Sequence, residues 1–243
     1  MVFFPDRTMI GSPNNIGLEF ASIKLKTADG IELHAWYTPC DNSRGDVLFC
    51  HGNGSNISGR LDTIRILHDL GFSSFLFDYR GYGNSQGKPS EKGTYLDAQA
   101  AYEYLLSEKS IDPANLIIFG RSLGGAVAAN LATKRNHKVL ILESTFTSIP
   151  DIASSLYPIF PVRLLNRIKY DTINCIRQLD TPLLLVHSTE DDRIPFSHSE
   201  KLFEAADQPK ELLRIRGNHN DGFLLTGKPY IQGLNDFLTK HGF

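Results

Sequence analysis

Three cysteines in 243 residues, at Cys40, Cys50 and Cys175, are too few and too scattered for a disulfide framework. Their spacing fits no zinc or redox motif. Cys50 lies in an apolar run and reads as core, and a reducing, cytoplasmic setting is expected. An excess of either charge is also missing. Lys and Arg total 25 against 27 Asp and Glu, a formal −2. That gives no electrostatic reason to expect nucleic acid or an anionic membrane as partner. No apolar run is long enough to span a bilayer, so no integral membrane segment is expected. The stretch before Pro5 is too short for a signal peptide. Internal repeats and low-complexity tracts are absent from the sequence. The length suits one α/β domain, residues 1–243, with a substantial core.

Short apolar runs divided by glycine-rich turns are what the chain has in plenty. Residues 18–26 alternate apolar and polar, Ala28-Asp29-Gly30 turns, and residues 31–37 return, a hairpin with Trp36 as a packing residue. Residues 47–50, 75–77, 116–119 and 139–142 read as buried strands, and residues 183–186 and 212–215 as further strands. Helical spacing fills the gaps between them, with Gly71 stopping the first helix. The alternation predicts a mostly parallel eight-stranded sheet with helices on both faces. Residues 1–15, with Pro5, Gly11 and Pro13, read as an irregular surface arm. Between residues 146 and 180, Pro150, Pro158 and Pro161 interrupt a greasy stretch. It reads as a short helical lid laid over the sheet.

The stretch from Leu116 to Gly125 organises the rest. Four apolar residues lead into Gly120, Ser122 and Gly124, spaced G-x-S-x-G, and Ala126, Val127, Asn130 and Leu131 follow at helical spacing. Strand, sharp turn and helix in that order make a nucleophile elbow, with the serine hydroxyl raised above the sheet edge. Glycine flanks it where a side chain would strike the neighbouring elements.

A serine hydroxyl needs a base, and the base needs an orienting acid. Among eight histidines, His219 lies in Gly217-Asn218-His219-Asn220-Asp221 directly after the last strand, where a base is wanted. His51 reads as bracing loops, His187 as structural and His198 as a surface residue at a helix start. The acid belongs after residues 183–186, where Glu190, Asp191 and Asp192 are adjacent. Repulsion disfavours burying all of them, so one is expected inward and the others solvated. Asp191 is favoured, then Asp192, then Glu190. For the oxyanion, the amides of Leu123 and Asn53 are the expected donors. The loop Gly52-Asn53-Gly54-Ser55 could instead cradle phosphate, but the lysine of that pattern is absent. Arg121 is expected at the site mouth or in a nearby salt bridge, Glu143 in a structural ion pair, and Asp78, Tyr79 and Arg80 in loop organisation. Phe146, Leu156, Ile159 and Phe160 read equally as an acyl pocket or as lid packing.

With these motifs assembled, the chain resembles the α/β-hydrolase superfamily along nearly its whole length. Within it the sequence is similar to the Bem46-like serine hydrolases. The likeness rests on Phe4-Pro5-Asp6-Arg7, Asp29-Gly30, His51-Gly52-Asn53-Gly54-Ser55-Asn56, Asp78-Tyr79-Arg80-Gly81-Tyr82-Gly83-Asn84-Ser85, Gly120-Arg121-Ser122-Leu123-Gly124-Gly125, Glu143-Ser144-Thr145-Phe146-Thr147-Ser148 and Gly217-Asn218-His219-Asn220. The resemblance implies the α/β-hydrolase fold, Ser122 as nucleophile, His219 as base, Asp191 as acid and no cofactor. Some members of that family are membrane-attached through an N-terminal helix or palmitoylated cysteines, and some remove S-acyl groups from proteins. Neither attachment signal is legible in residues 1–15. The expected activity is hydrolysis of carboxylic esters or thioesters of small to medium acyl groups, on a small-molecule or lipid-like substrate. Amide, peptide or carbon–carbon hydrolysis by the same residues is the alternative within enzymes. A non-catalytic binding module is the alternative outside them. Oligomeric state has no signature in the sequence.

Overall fold

The computed structural model describes residues 3–156 and 168–243. In chain order the strands are β1 (Phe4–Pro5), β2 (Ala21–Lys26), β3 (Glu32–Thr38), β4 (Asp46–Cys50), β5 (Gly54–Ser55), β6 (Ser73–Phe77), β7 (Leu116–Arg121), β8 (Val139–Glu143), β9 (Leu183–Ser188) and β10 (Lys210–Ile215). Eight of them form one sheet in the order β10-β9-β8-β7-β4-β6-β3-β2. From β10 to β6 every pair is parallel, and β3 and β2 close that edge antiparallel.

Parallel neighbours need crossover connections, and helices supply them. They are α1 (Leu61–Asp69), α2 (Glu91–Glu108), α3 (Leu123–Ala132), α4 (Ile149–Leu156), α5 (Thr172–Ile176), α6 (Ser197–Ala205), α7 (Gly222–Thr226) and α8 (Lys228–Lys240). The two-residue period of β7 sorts its side chains between two cores. Leu116 and Ile118 pack with Ala98, Leu105 and Leu131 of α2 and α3. Ile117 and Phe119 pack with Ile64 and Leu67 of α1 and with Leu234 and Phe237 of α8. A central strand buried on both faces must be apolar throughout, which is why Leu116–Phe119 shows no alternation. Each such side chain contributes roughly 1.5–3 kcal/mol by leaving water.

The sheet positions the site through its register. Cys50 pairs with Gly120, Arg121 with Glu143, and Ser188 with Ile215. The loops after β4, β7, β9 and β10 therefore leave from one edge. From β4 the chain builds first toward β6 and later toward β7, so the strand order reverses at β4. In open α/β sheets the crevice at such a reversal is where ligands sit.

One segment differs from the sequence reading. Within the supposedly irregular arm, β1 pairs in parallel with β5, Phe4 beside Gly54 and Pro5 beside Ser55. The Asn56 amide fastens the arm further, donating to the carbonyls of Asp6 (3.1 Å) and Thr8 (2.9 Å). At the end of the expected lid, whose residues 157–167 lie outside the described ones, α5 packs against α3 and α6. Tyr170 and Ile176 are buried in the core, and Glu91 accepts from the amides of Lys169 and Tyr170 at 2.7 Å each. No described helix is long and apolar enough to cross a membrane.

Candidate active site

Ser122 follows β7 and caps α3 with φ 54° and ψ −120°, the left-handed side of backbone space that strains any side chain. The strain is held from several directions. The Ser122 amide donates to the Glu143 carbonyl (2.8 Å), and its own carbonyl accepts from the Gly125 amide (2.9 Å) and the Thr145 hydroxyl (2.8 Å). Glycine is required on both sides for lack of room. A Cβ on Gly120 would lie 2.3 Å from the Gly124 carbonyl oxygen, and one on Gly124 would lie 2.0 Å from that of Cys50. The turn therefore lets β7, β4 and α3 approach as closely as backbones can, and the hydroxyl is left to point outward.

His219 meets it from the loop after β10. Its Nε2 lies 2.9 Å from Ser122 Oγ, and its Nδ1 lies 2.7 Å from Asp191 Oδ2. A carboxylate can only accept, so Nδ1 carries the proton and Nε2 is left to accept from the serine hydroxyl. Asp191 is fixed in turn. Its Oδ1 accepts from the amides of Arg193 (2.9 Å) and Ile194 (2.8 Å), and its side chain is fully buried. Burial alone would raise its pKa. Hydrogen bonds from His187, His219 and the Ile194 amide outweigh that and hold the carboxyl well below the usual carboxylate range.

All of the adjacent carboxylates grip the same neighbouring loop. Glu190 accepts from the Gly217 amide (2.9 Å), Asp192 from the His219 amide (3.0 Å), and Asp191 from the His219 ring. Asp191 turns inward while Glu190 and Asp192 stay exposed.

His187, read as structural, also reaches the acid. It is wholly buried on β9, with Nε2 3.3 Å from Asp191 Oδ2 and 2.9 Å from the Ile194 carbonyl oxygen. Its Nδ1 faces the Ser199 hydroxyl at 2.6 Å. The signal available in the sequence was its place four residues before Asp191, across a tight turn. His198, expected at the surface, is buried and holds the Thr147 hydroxyl at 2.9 Å.

Arg121 is not at an exposed mouth. It is buried, 2.6 Å from Glu143, with its guanidinium 3.9 Å over the Phe223 ring. Tyr230 donates to the other Glu143 oxygen at 2.7 Å. The elbow is thereby tied to α7 and α8, the helices that follow His219. Burial would lower the Arg121 pKa, but the Glu143 charge raises it above the ordinary arginine value. Arg80, also buried, binds Asp97 (2.9 Å) and Asp29 (2.8 Å) and organises the loop after β6. In that loop Asp78 accepts from the Ile57 amide at 2.9 Å. His51 is fully buried against Tyr79. Burial, partly opposed by Asp78, pushes its pKa down to about 4.

A cavity of about 370 Å³ opens beside Ser122 and His219. Asn53 lines it, and its side-chain oxygen accepts from the Phe4 amide (3.1 Å) and the Tyr82 hydroxyl (2.8 Å). Leu123 opens α3, among the first N–H groups that a helix leaves without an internal partner. Phe146 is buried in the core beside α3 and is not among the described residues lining the cavity. The side chain of Leu156, and Ile159 and Phe160 altogether, lie outside the described residues. No group of three or more His, Cys, Asp or Glu among the described residues could hold a metal ion.

Comparison with known proteins shows the family. A model of the prolyl oligopeptidase family matches residues 60–226. The Schizosaccharomyces pombe protein bem46 is 31% identical over 249 residues, 97% of this chain and 82% of its own length. This chain is a Bem46-like α/β-hydrolase of the prolyl oligopeptidase family. The Mycobacterium tuberculosis protein Rv2307c is 38% identical to the hydrolase over 243 residues, 99% of this chain and 86% of its own. The hydrolase also superposes on the Pyrococcus furiosus esterase Pf2001 with a TM-score of 0.84, at 18% identity, over 100% of this chain and 99% of that one. At that identity the likeness speaks for the fold.

Proposed function

We propose that this hydrolase cleaves carboxylic esters or thioesters through an acyl-enzyme on Ser122. The observation that carries the reading is the continuous contact from Ser122 Oγ to His219 Nε2 (2.9 Å) and from His219 Nδ1 to Asp191 Oδ2 (2.7 Å). His219 takes the hydroxyl proton as Ser122 attacks the acyl carbonyl. Asp191 holds the imidazole in the accepting tautomer and stabilises the imidazolium as it forms. The amides of Asn53 and Leu123 receive the oxyanion. The tetrahedral adduct collapses, His219 gives its proton to the departing alcohol or thiol, and the acyl group stays on Ser122. Water, deprotonated by His219, then attacks the acyl-enzyme, and as the acid departs His219 returns the proton to Ser122 Oγ.

Fluorophosphonate labelling tests this directly. The probe is expected to label the wild-type chain and to leave Ser122→Ala unlabelled. Turnover of small aryl esters is expected to fall by at least about 10⁴-fold in that variant, as for other triads. Labelling that persists in Ser122→Ala would refute the assignment. Parallel assays on aryl esters, acyl thioesters and amino-acid arylamides separate esterase from amidase chemistry.

A further inference from the structure

The described wall of the cavity beside Ser122 is polar. Ser122, His219, Asn53, Arg60, Arg121 and Arg193 line the cavity with glycine, serine and asparagine, and apart from the His219 imidazole no described lining residue is aliphatic or aromatic. Pockets for apolar acyl groups are mostly apolar, with few polar groups. Arginine is the conspicuous component here.

The charges of these arginines are not equally available. Arg121 is matched by Glu143 at 2.6 Å. Arg60 and Arg193 form no ion pair with any described residue. Arg60 donates through one Nη to the Gly54 carbonyl, while its Nε is buried without a hydrogen-bond partner among the described residues. Burial and the nearby Arg121 charge push the Arg60 pKa down to about 10, which leaves it charged at neutral pH. Of the acids nearby, Asp78 acts on Arg60 through its charge without forming an ion pair with it and accepts from the Ile57 amide, Asp191 is committed to the imidazoles and two amides, and Asp192 holds the His219 amide beside Arg193. A desolvated guanidinium without an ion pair is costly, and an anion beside its cavity-facing side offsets that cost. Its planar fork suits the oxygens of a carboxylate or phosphate.

We propose that this cavity is an anion subsite in which Arg60, with Arg193 at the rim, receives a carboxylate or phosphate carried by the substrate next to its scissile acyl bond. The hydrolase thereby prefers short acidic esters or thioesters over neutral ones. The inference rests on Ser122 being the nucleophile. Arg60 could also serve merely to tie down Gly54, so the test reads charge discrimination rather than overall rate.

Matched esters provide that reading on the full chain. Mono-(4-nitrophenyl) terephthalate against 4-nitrophenyl 4-methylbenzoate places a carboxylate on the acyl side. The 4-acetoxybenzoate anion against its methyl ester places it on the leaving group, and 4-acetoxyphenyl phosphate replaces it by phosphate. Each kcat/KM is divided by the hydroxide-catalysed rate of the same ester. At least one acidic ester should be favoured by about 10-fold or more, the range of one charge-assisted hydrogen bond. That ratio should fall to about 1 in Arg60→Gln, recover in part in Arg60→Lys, and shrink in Arg193→Gln.

A second readout does not need turnover. Inorganic phosphate or benzoate should slow fluorophosphonate labelling of Ser122 in the wild type and lose that protection in Arg60→Gln. Should Arg60→Gln fail to fold, the wild-type ratio, wild-type protection and Arg193→Gln decide. Ratios near or below 1 for every pair, with no anion protection, would overturn the subsite while leaving the hydrolase reading intact. Ratios or protection that survive unchanged in Arg60→Gln would overturn the role of Arg60. Absence of both turnover and labelling would remove the hydrolase reading, and this inference with it.

Discussion

Asp191 Oδ2 is shared between the rings of His219 at 2.7 Å and His187 at 3.3 Å. Such sharing makes the acid a fixed point rather than a free carboxylate. Asp191→Asn should reverse the His219 tautomer and reduce kcat by roughly 10⁴-fold, as the same change does in other triads. Asp192→Asn keeps an acceptor for the His219 amide and should cost far less; a loss in Asp192→Asn equal to that in Asp191→Asn would reassign the acid. His187 touches only the acid's side of the chain of contacts. His187→Gln should lower kcat by roughly 10-fold with little change in KM, since a hydrogen bond to a charged group contributes about 1.5–3 kcal/mol. A rise in KM at constant kcat would contradict that positioning role. The convergence of Ser122, His219 and Asp191 was legible in the sequence because each follows an apolar run at a strand end. His187 was not, since a buried histidine on a strand looks the same whether it touches a backbone carbonyl or a functional carboxylate. Arg60 was equally hidden, because nothing in a sequence reveals a missing counter-ion.

At the level of the element, the elbow is governed by backbone contact. A Cβ on Gly124 would stand 2.0 Å from the Cys50 carbonyl oxygen and 2.5 Å from that of His51. Neither carbonyl can retreat without disturbing β4 and the loop that carries Asn53. Gly124→Ala should therefore cost about 3 kcal/mol or more, and lower the Tm of a chain this size by roughly 6–12 °C. Unchanged thermal melting would show that the close approach is relaxed in solution. The elbow was legible since its glycines mark the same approach in every strand–turn–helix of this kind. The region from Ile149 to Ile176 was harder, because greasy helical spacing does not say which surface a helix covers. Of that region, α5 covers α3 and α6.

For the molecule as a whole, alternation of apolar runs and helical spacing was enough to foresee the eight-stranded sheet, since parallel strands cannot join without crossovers. Stability against acid was not foreseeable, because it depends on burial. His51 is wholly buried, with a native pKa of about 4 against 6.5 for the free side chain. Between those values the unfolded chain binds a proton that the native state refuses, so stability falls as the pH drops through this window and levels off below it. His137 and His198 are shifted downward by burial as well and act in the same direction. Other groups add slopes of their own, so a difference between proteins isolates His51. Urea melts of wild type and His51→Gln at about pH 7.5 and about pH 4.5 should show the variant's deficit shrinking by up to about 3 kcal/mol on acidification. A deficit independent of pH would mean that His51 is protonated, or neutral, equally in both states.

The pairing of Phe4 and Pro5 with Gly54 and Ser55 bears on how this molecule is handled. Residues remote in sequence from Ser122 form one wall of the loop that carries Asn53, through the Phe4 amide on the Asn53 side chain. If the Asn53 amide receives the oxyanion as proposed, epitope tags, fusion partners or a protease nick at residues 4–6 should alter turnover, which rate measurements on tagged and untagged preparations would read.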